Sequence, residues 1–147
     1  LELLHIENIA VIQEADIQFR PGFNALTGET GAGKSIVIDA MGAVLGGRTS
    51  RDLIRTGADR AFVSAEFSQV APDLPGLAET GTAPDEDGHL LLQRELTGDG
   101  KNLCRFRDSC RMTSMCRTGC NSRSSRCAGA ACNRVCEKYV EVLLALL

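Results

Sequence analysis

The segment with the clearest capacity for chemistry is a glycine-rich stretch at residues 28–35. It matches the pattern G-x-x-x-x-G-K-[ST] in full. Phosphates concentrate negative charge, and a loop that wraps them must turn several backbone N–H groups inward, which glycines permit. The lysine of this pattern places an ammonium against the β- and γ-phosphates, and the next residue offers a hydroxyl to Mg²⁺. The stretch therefore predicts a P-loop that binds Mg·ATP.

Two residues of the loop have specific predicted roles, and all of them are predicted to bind the nucleotide. Lys34 is the predicted catalytic residue, because phosphoryl transfer depends on positioning and charge neutralisation. Ser35 is the predicted ligand of the magnesium ion. The helix that follows adds the positive end of its dipole. The predicted nucleotide-binding residues are Gly28, Glu29, Thr30, Gly31, Ala32, Gly33, Lys34, Ser35 and Ile36.

Strands are predicted ahead of the loop. Leu4, Ile6 and residues 9–12 indicate a first strand, and residues 15–19 alternate between apolar and polar side chains as a half-buried strand does. Residues 23–27 are short and mostly apolar, so we predict a strand that is central in a sheet.

A helix and more strands are predicted after the loop. Apolar residues recur at helical spacing from Ile36 to Leu45, and the Gly46-Gly47 pair predicts the helix end. Residues 48–60 indicate a loop or short helix, residues 61–67 a strand and residues 71–88 an exposed loop. Residues 90–96 and 101–106 flank Asp99-Gly100, which predicts a β-hairpin.

Composition divides the chain near Cys104. The 147 residues suit one domain, and the 44% hydrophobic and 24% charged fractions are typical of globular proteins. From Cys104 onward there are eight basic and three acidic residues, a net +5, which leaves −8 for residues 1–103. All seven cysteines lie in this second part. No apolar run approaches the roughly 20 residues that span a membrane, so we expect no membrane partner. A P-loop ATPase is expected in the cytoplasm, where thiols stay reduced.

The residues around the P-loop resemble the RecN family of bacterial DNA-repair ATPases. The similarity is carried by LLHIENIAVI at residues 3–12, GFNALTGETGAGKSIVIDA at residues 22–40, LGGR at residues 45–48, DLIRTGA at residues 52–58 and the hairpin of residues 91–105. It extends over about residues 1–105.

This resemblance implies an α/β P-loop NTPase, specifically the N-terminal lobe of the ABC-type head found in ATPases that maintain chromosome structure. Such a lobe has a mixed β-sheet with the P-loop helix. A coiled coil and a C-terminal lobe with the signature motif and Walker B acid complete the head. Two heads sandwich ATP, and the cycle acts on DNA at double-strand breaks near the bacterial nucleoid. The resemblance places Arg48, Arg51 and Arg55 near nucleotide or DNA, although solvated loop charges explain them as well.

Residues 106–147 depart from the family. They contain no glutamine loop, Walker B acid or signature motif, so we expect an incomplete head, an irregular tail, weak Mg·ATP binding and almost no turnover. The abrupt change to Arg, Ser and Cys fits a frameshift in a GC-rich gene. A Cys₄ zinc site, a disulfide framework and a basic tail that binds nucleic acid remain alternatives. The candidate zinc ligands are Cys116, Cys120, Cys132 and Cys136.

Two other functions remain open from the residues alone. A small-molecule or nucleotide kinase would use the same P-loop, but kinases of this kind usually have less β-structure before it. A non-catalytic module would bind nucleic acid or zinc through the tail. Phosphoryl transfer to a metabolite would favour the first, and zinc or tail-dependent nucleic-acid binding the second.

Overall fold

A computed structural model describes residues 1–27, 33–74, 83–108 and 127–128. Its described strands form one six-stranded sheet in the order β2-β1-β3-β4-β5-β6. The strands are β1 (Leu3–Ile9), β2 (Ile12–Gln18), β3 (Arg60–Phe67), β4 (Leu90–Thr97), β5 (Asn102–Asp108) and β6 (Cys127–Ala128). All five pairings between these strands are antiparallel.

One α-helix lies between β2 and β3 in the described chain, α1 (Lys34–Val44), and a single 3₁₀ turn follows it at Arg51–Leu53. The helix packs on one face of the sheet and buries Val37, Ala40 and Val44 there. The sheet contributes alternate residues to the same core, because successive side chains of a strand point to opposite faces. These sheet residues are Leu4, Ile6, Ala61, Val63, Ala65, Phe67, Leu90, Leu92 and Leu96.

The predictions for the helix and for the later strands are confirmed. Helix α1 covers the apolar repeat and ends before Gly46-Gly47. Strand β3 coincides with the alternating segment, and the β4–β5 hairpin turns through Asp99 and Gly100, where Gly100 has a φ of +87°. Asp-Gly favours this turn because glycine takes a positive φ without steric cost.

The predicted C-terminal end of the first strand was wrong. It was expected to continue through residue 12, but the chain turns at Ala10 and Val11, and Ile9 pairs directly with Ile12. Ala10 has a φ of +47°, a conformation for which turns usually use Gly, Asn or Asp. Tertiary hydrogen bonds hold it there: the Ala10 N–H donates to the Leu53 carbonyl at 2.9 Å, and Arg55 donates to the Val11 carbonyl.

The predicted central strand at residues 23–27 was also wrong. The structure gives these residues no strand assignment, and the Phe23 side chain is 94% exposed. A central strand needs a partner on each side, but β1 lies between β2 and β3, which are the strands before and after residues 23–27 in sequence.

The border expected at residue 105 falls inside a strand. Strand β5 continues to Asp108, and β6 adds two residues beside it, with Cys127 opposite Cys104. This short strand belongs to a tail that we predicted to be irregular. Residues 109–126 and 129–147, including the four candidate zinc ligands, lie outside the described residues.

Candidate functional site

The described part of the P-loop is its C-terminal end, where the loop becomes a helix. Gly33 is the N-cap residue of α1, and Lys34 and Ser35 are the first two helical residues. The predicted binding residues Gly28, Glu29, Thr30, Gly31 and Ala32 lie outside the described residues. The structure therefore brings Gly33, Lys34, Ser35 and Ile36 together in one helical turn.

This helix start has the character of an anion site. The first helical hydrogen bond found runs from the Val37 N–H to the Gly33 carbonyl at 3.1 Å, so the preceding N–H groups point out of the helix end. Among the residues that the structure describes, no side chain caps the helix, and its first turn contains no acidic residue. No negative side chain in that turn neutralises the positive end of the helix dipole. Ser35 is exposed and Lys34 partly buried, so these residues fit a phosphate group with its metal ion.

The opposite end of the same helix is closed by backbone hydrogen bonds. The Gly46 N–H donates to the Ala43 carbonyl at 3.1 Å, and the Gly47 N–H donates to the Gly42 carbonyl at 2.8 Å. This is a Schellman motif, in which a residue of positive φ ends the helix. Gly46 supplies it with a φ of +97°. Gly47 approaches so closely that an added Cβ would lie 2.7 Å from the Gly42 oxygen.

Arg94 joins this helix end to the sheet. Its side chain extends from β4 into the core and is only 2% exposed. One terminal nitrogen, Nη1, donates to the carbonyl of Ala43 at 2.5 Å and to that of Gly47 at 2.7 Å. From the sequence, no role was predicted for Arg94. The available signal was its position in the same alternation as Leu90, Leu92 and Leu96, which puts it on the buried face.

Comparison with known proteins decides the family. A family model described as an AAA domain matches residues 3–85, more than half of the chain. The chain belongs to the AAA domain family. The matched region includes the P-loop, α1 and strands β1 to β3, and the family is one of nucleotide-binding proteins.

Within the AAA domain family, the chain is similar to curated RecN proteins, which confirms the resemblance predicted from sequence. It is 43% identical over 106 residues to the DNA repair protein RecN of Halalkalibacterium halodurans. Its identity is 38% to that of Bacillus subtilis and 37% to that of Streptomyces coelicolor. These matches cover 67–70% of this chain, but the chain spans only 18% of the length of these relatives.

Solved structures confirm the fold class. An SMC ATPase structure, from work on ATP-driven dimerization and DNA-stimulated activation, matches with a TM-score of 0.62 and 24% identity. The match covers 98% of our chain and 77% of the SMC ATPase chain. An Smc head bound to the C-winged helix domain of ScpA matches with a TM-score of 0.61 and 24% identity. This match covers 99% of our chain and 40% of the Smc head chain. The AAA domain of this chain thus has the fold of an SMC ATPase head, a P-loop NTPase.

Two of the three arginines that the RecN resemblance placed near nucleotide or DNA touch the protein itself. The Arg55 Nη1 donates to the Val11 carbonyl at 2.8 Å, at the β1–β2 turn. The Arg51 guanidinium lies over Gly100, where an added Cβ would come within 3.1 Å of three of its atoms. Arg48 is exposed. The geometry thus gives Arg55 a structural contact that explains its position in this AAA domain.

The residues that the structure describes contain no group of three or more His, Cys, Asp or Glu residues that could hold a metal ion. No helix among the described residues is long and apolar enough to cross a membrane. Cys104 is buried, and the other six cysteines have no described side chain.

Proposed function

We propose that this chain is the ATP-binding lobe of a RecN-type ATPase head that acts in the repair of DNA double-strand breaks. The observation that carries the proposal is the complete P-loop sequence running into a helix whose first turn presents Lys34 and Ser35 and contains no acid. The family match and the RecN relatives support the same conclusion.

Each site residue would contact a different part of Mg·ATP. The amides of residues 28–36 surround the phosphates, and the Lys34 ammonium neutralises their β- and γ-oxygens. The Ser35 hydroxyl would hold the magnesium ion, whose positive charge would offset the negative charge of the phosphates. Lys34 is the catalytic residue of this lobe, because its charge stabilises the phosphoryl group as it moves.

The partners follow from the proposed head. A C-terminal lobe carrying the signature motif and Walker B acid completes it, and a second head sandwiches the nucleotide. DNA is the target of the complete protein, in the bacterial cytoplasm at the nucleoid. An SMC ATPase with this fold comes from work on ATP-driven dimerization and DNA-stimulated activation. That work supports the second head and DNA as partners.

The activity of this chain is confined to binding in our proposal. Neither the Walker B acid nor the signature motif is recognisable in residues 1–147. Since those groups activate water and complete the site, we expect weak Mg·ATP binding and almost no hydrolysis. Steady ATP hydrolysis by the purified chain that disappears in Lys34→Ala would contradict this part of the proposal.

The proposal is tested by titrating the purified chain with a fluorescent ATP analogue in the presence of magnesium. We expect saturable binding that Lys34→Ala reduces by at least about tenfold, which corresponds to about 1.4 kcal/mol. Lys101→Ala is the matched control, because Lys101 is an exposed lysine of the β4–β5 turn that pairs with Asp99. Absence of saturable binding, or equal losses in both variants, would overturn the proposal.

The tail remains a separate question. We propose that residues 1–105 form the lobe and that residues 106–147 are the product of a frameshift, since the change in composition follows directly on the family-like hairpin. Sequencing the gene around codons 100–110 tests this. RecN-like sequence in another reading frame would support it, and its absence from both other frames would contradict it.

Neither alternative function is favoured. A small-molecule or nucleotide kinase has no support among the RecN and SMC matches. A zinc or nucleic-acid module would depend on tail residues outside the described ones. Both alternatives therefore rest on the sequence pattern alone.

A further inference from the structure

Arg94 is an unusual residue for the interior of this fold. Its side chain is almost completely buried, yet its hydrogen bonds go to neutral oxygen atoms. Besides the Ala43 and Gly47 carbonyls, the Nε donates to Asn102 Oδ1 at 2.8 Å, and Nη2 lies 3.4 Å from Thr49 Oγ1. Among the described residues no ion pair of Arg94 with a carboxylate is found. Arg60 and Arg105, in contrast, both pair with Glu95, which alternates to the other face of the sheet.

The compensation for this buried charge comes from helix α1. A buried cation is costly unless other groups solvate it. The C-terminal carbonyls of a helix carry partial negative charge, and cations are stabilised beside them. Arg94 contacts the carbonyl of Ala43, in the last turn of α1, and that of Gly47, just beyond the helix. The charge is therefore satisfied only while this helix end stays at its present position against β4.

Helix α1 is short, so the position of its C-terminal end affects the position of its N-terminal end. Its 11 residues span about 16 Å at a rise of about 1.5 Å per residue. The apolar contacts of Val37, Ala40 and Val44 hold its face to the sheet, but apolar contacts are not directional. The hydrogen bonds of Arg94 are directional, since a guanidinium donates in fixed directions from a planar group.

We infer that Arg94 is a positioning residue for the nucleotide site. It fixes the C-terminal end of α1 and so sets the direction in which the first turn presents Lys34 and Ser35 to the phosphates. Asn102 assists by holding the Arg94 Nε and donating from its Nδ2 to Thr49 Oγ1 at 3.1 Å. This inference rests on the proposed function, because it concerns the same phosphate site.

The test compares two substitutions in the whole chain by Mg·ATP titration and thermal unfolding. Arg94→Lys keeps the positive charge but loses the planar group that reaches both carbonyls, and we expect it to weaken binding about tenfold. Asn102→Ala leaves the Arg94 charge in place and removes the acceptor of its Nε together with the Asn102–Thr49 hydrogen bond, so we expect about threefold weaker binding. It serves as the second variant if Arg94→Lys does not fold.

Two controls separate positioning from a general loss of stability. Leu91→Ala removes a buried side chain of the same strand on the face away from α1, so we expect it to lower the unfolding temperature while binding is retained. Arg105→Lys changes an arginine of the neighbouring strand that pairs with Glu95. All titrations are made well below the lowest unfolding temperature.

The results distinguish the inference from the proposed function. Weaker binding in folded Arg94→Lys or Asn102→Ala, with binding retained in Leu91→Ala and Arg105→Lys, supports the inference. Unchanged affinity in the folded Arg94 and Asn102 variants overturns it and leaves the proposed function standing, as does an equal loss of affinity in Leu91→Ala. If the unsubstituted chain shows no saturable Mg·ATP binding, the proposed function fails and the inference fails with it.

Discussion

The Nδ1 atom of His5 lies 2.6 Å from the Oδ1 atom of Asp16, its cross-strand neighbour in the β1–β2 pair. On its other side, Nε2 lies 3.1 Å from a carboxylate oxygen of Glu7. Burial by itself lowers the pKa of His5, but the hydrogen bonds and charges of Asp16 and Glu7 outweigh it. The pKa of His5 is therefore raised above its ordinary value of 6.5. The protonated imidazole stabilises the folded state.

This pair makes stability depend on pH. Because the folded-state pKa of His5 is raised, its contribution is complete below about pH 6.5 and is lost as pH rises through the folded-state value. Asp16→Asn should lower stability below that pH by about 0.5 kcal/mol, a small amount because Asp16 is 63% exposed. The loss should shrink in alkaline solution. Urea unfolding across this pH range measures it.

The control for the pH effect is Asp73→Asn, which removes an exposed carboxylate elsewhere. The chain has only two histidines, so NMR titration can follow the His5 ring directly. A His5 pKa that is the same in Asp16→Asn as in the unsubstituted chain would contradict the expectation.

Two glycines at the end of α1 should respond oppositely to alanine. Gly47→Ala places a Cβ 2.7 Å from the Gly42 backbone oxygen, so we expect a loss of about 1–3 kcal/mol. Gly42 lies within α1, and a Cβ added there would meet no atom within 4 Å. We therefore expect Gly42→Ala to raise the free energy of unfolding by about 0.5–1 kcal/mol. Urea unfolding of both variants measures the difference. The same sign in both would contradict the described helix end.

Arg55 should matter for stability and not for nucleotide binding. Arg55→Ala removes the hydrogen bond to the Val11 carbonyl, and we expect a loss of about 1 kcal/mol. Arg48→Ala, in the same loop but exposed, should change stability by less than about 0.5 kcal/mol. Thermal unfolding and Mg·ATP titration of both variants test this. Weaker nucleotide binding by Arg55→Ala at unchanged stability would assign Arg55 to the site instead.

Ser35 should account for the magnesium dependence of binding. Ser35→Ala removes the hydroxyl that we assign to the metal ion, so we expect magnesium to strengthen ATP binding in the unsubstituted chain and hardly at all in the variant. Binding without magnesium should be similar in both. Titrations with magnesium and with EDTA provide the measurement, and an equal magnesium effect in both proteins would remove Ser35 from the proposed metal site.

Patterns with a local cause were predictable from the sequence. The Asp99-Gly100 turn, the Gly46-Gly47 helix end and the alternation in β3 each follow from backbone preferences within a few residues. The start of α1 at Lys34 followed from the motif. The family and fold class followed from the resemblance carried by residues 1–105.

Features with a distant cause were missed. Ala10 adopts a positive φ because Leu53 and Arg55 hydrogen-bond to the turn from more than 40 positions away. Residues 23–27 are apolar enough for a central strand, but whether a partner strand lies beside them depends on the whole sheet. The role of Arg94 required knowing that α1 ends opposite β4. The remaining P-loop residues stay predictions.

The order of strands in the sheet has a consequence for how the chain folds. The β1–β2 and β4–β5 hairpins close over short loops and can form early, whereas the β1–β3 pairing must first close residues 10–59, which include α1. Loop closure of this length slows folding. We therefore expect Val63→Ala in β3 to slow refolding, and Val44→Ala in α1 mainly to accelerate unfolding. The packing of α1, which begins at the end of the phosphate loop, would then be completed only after the rate-limiting step.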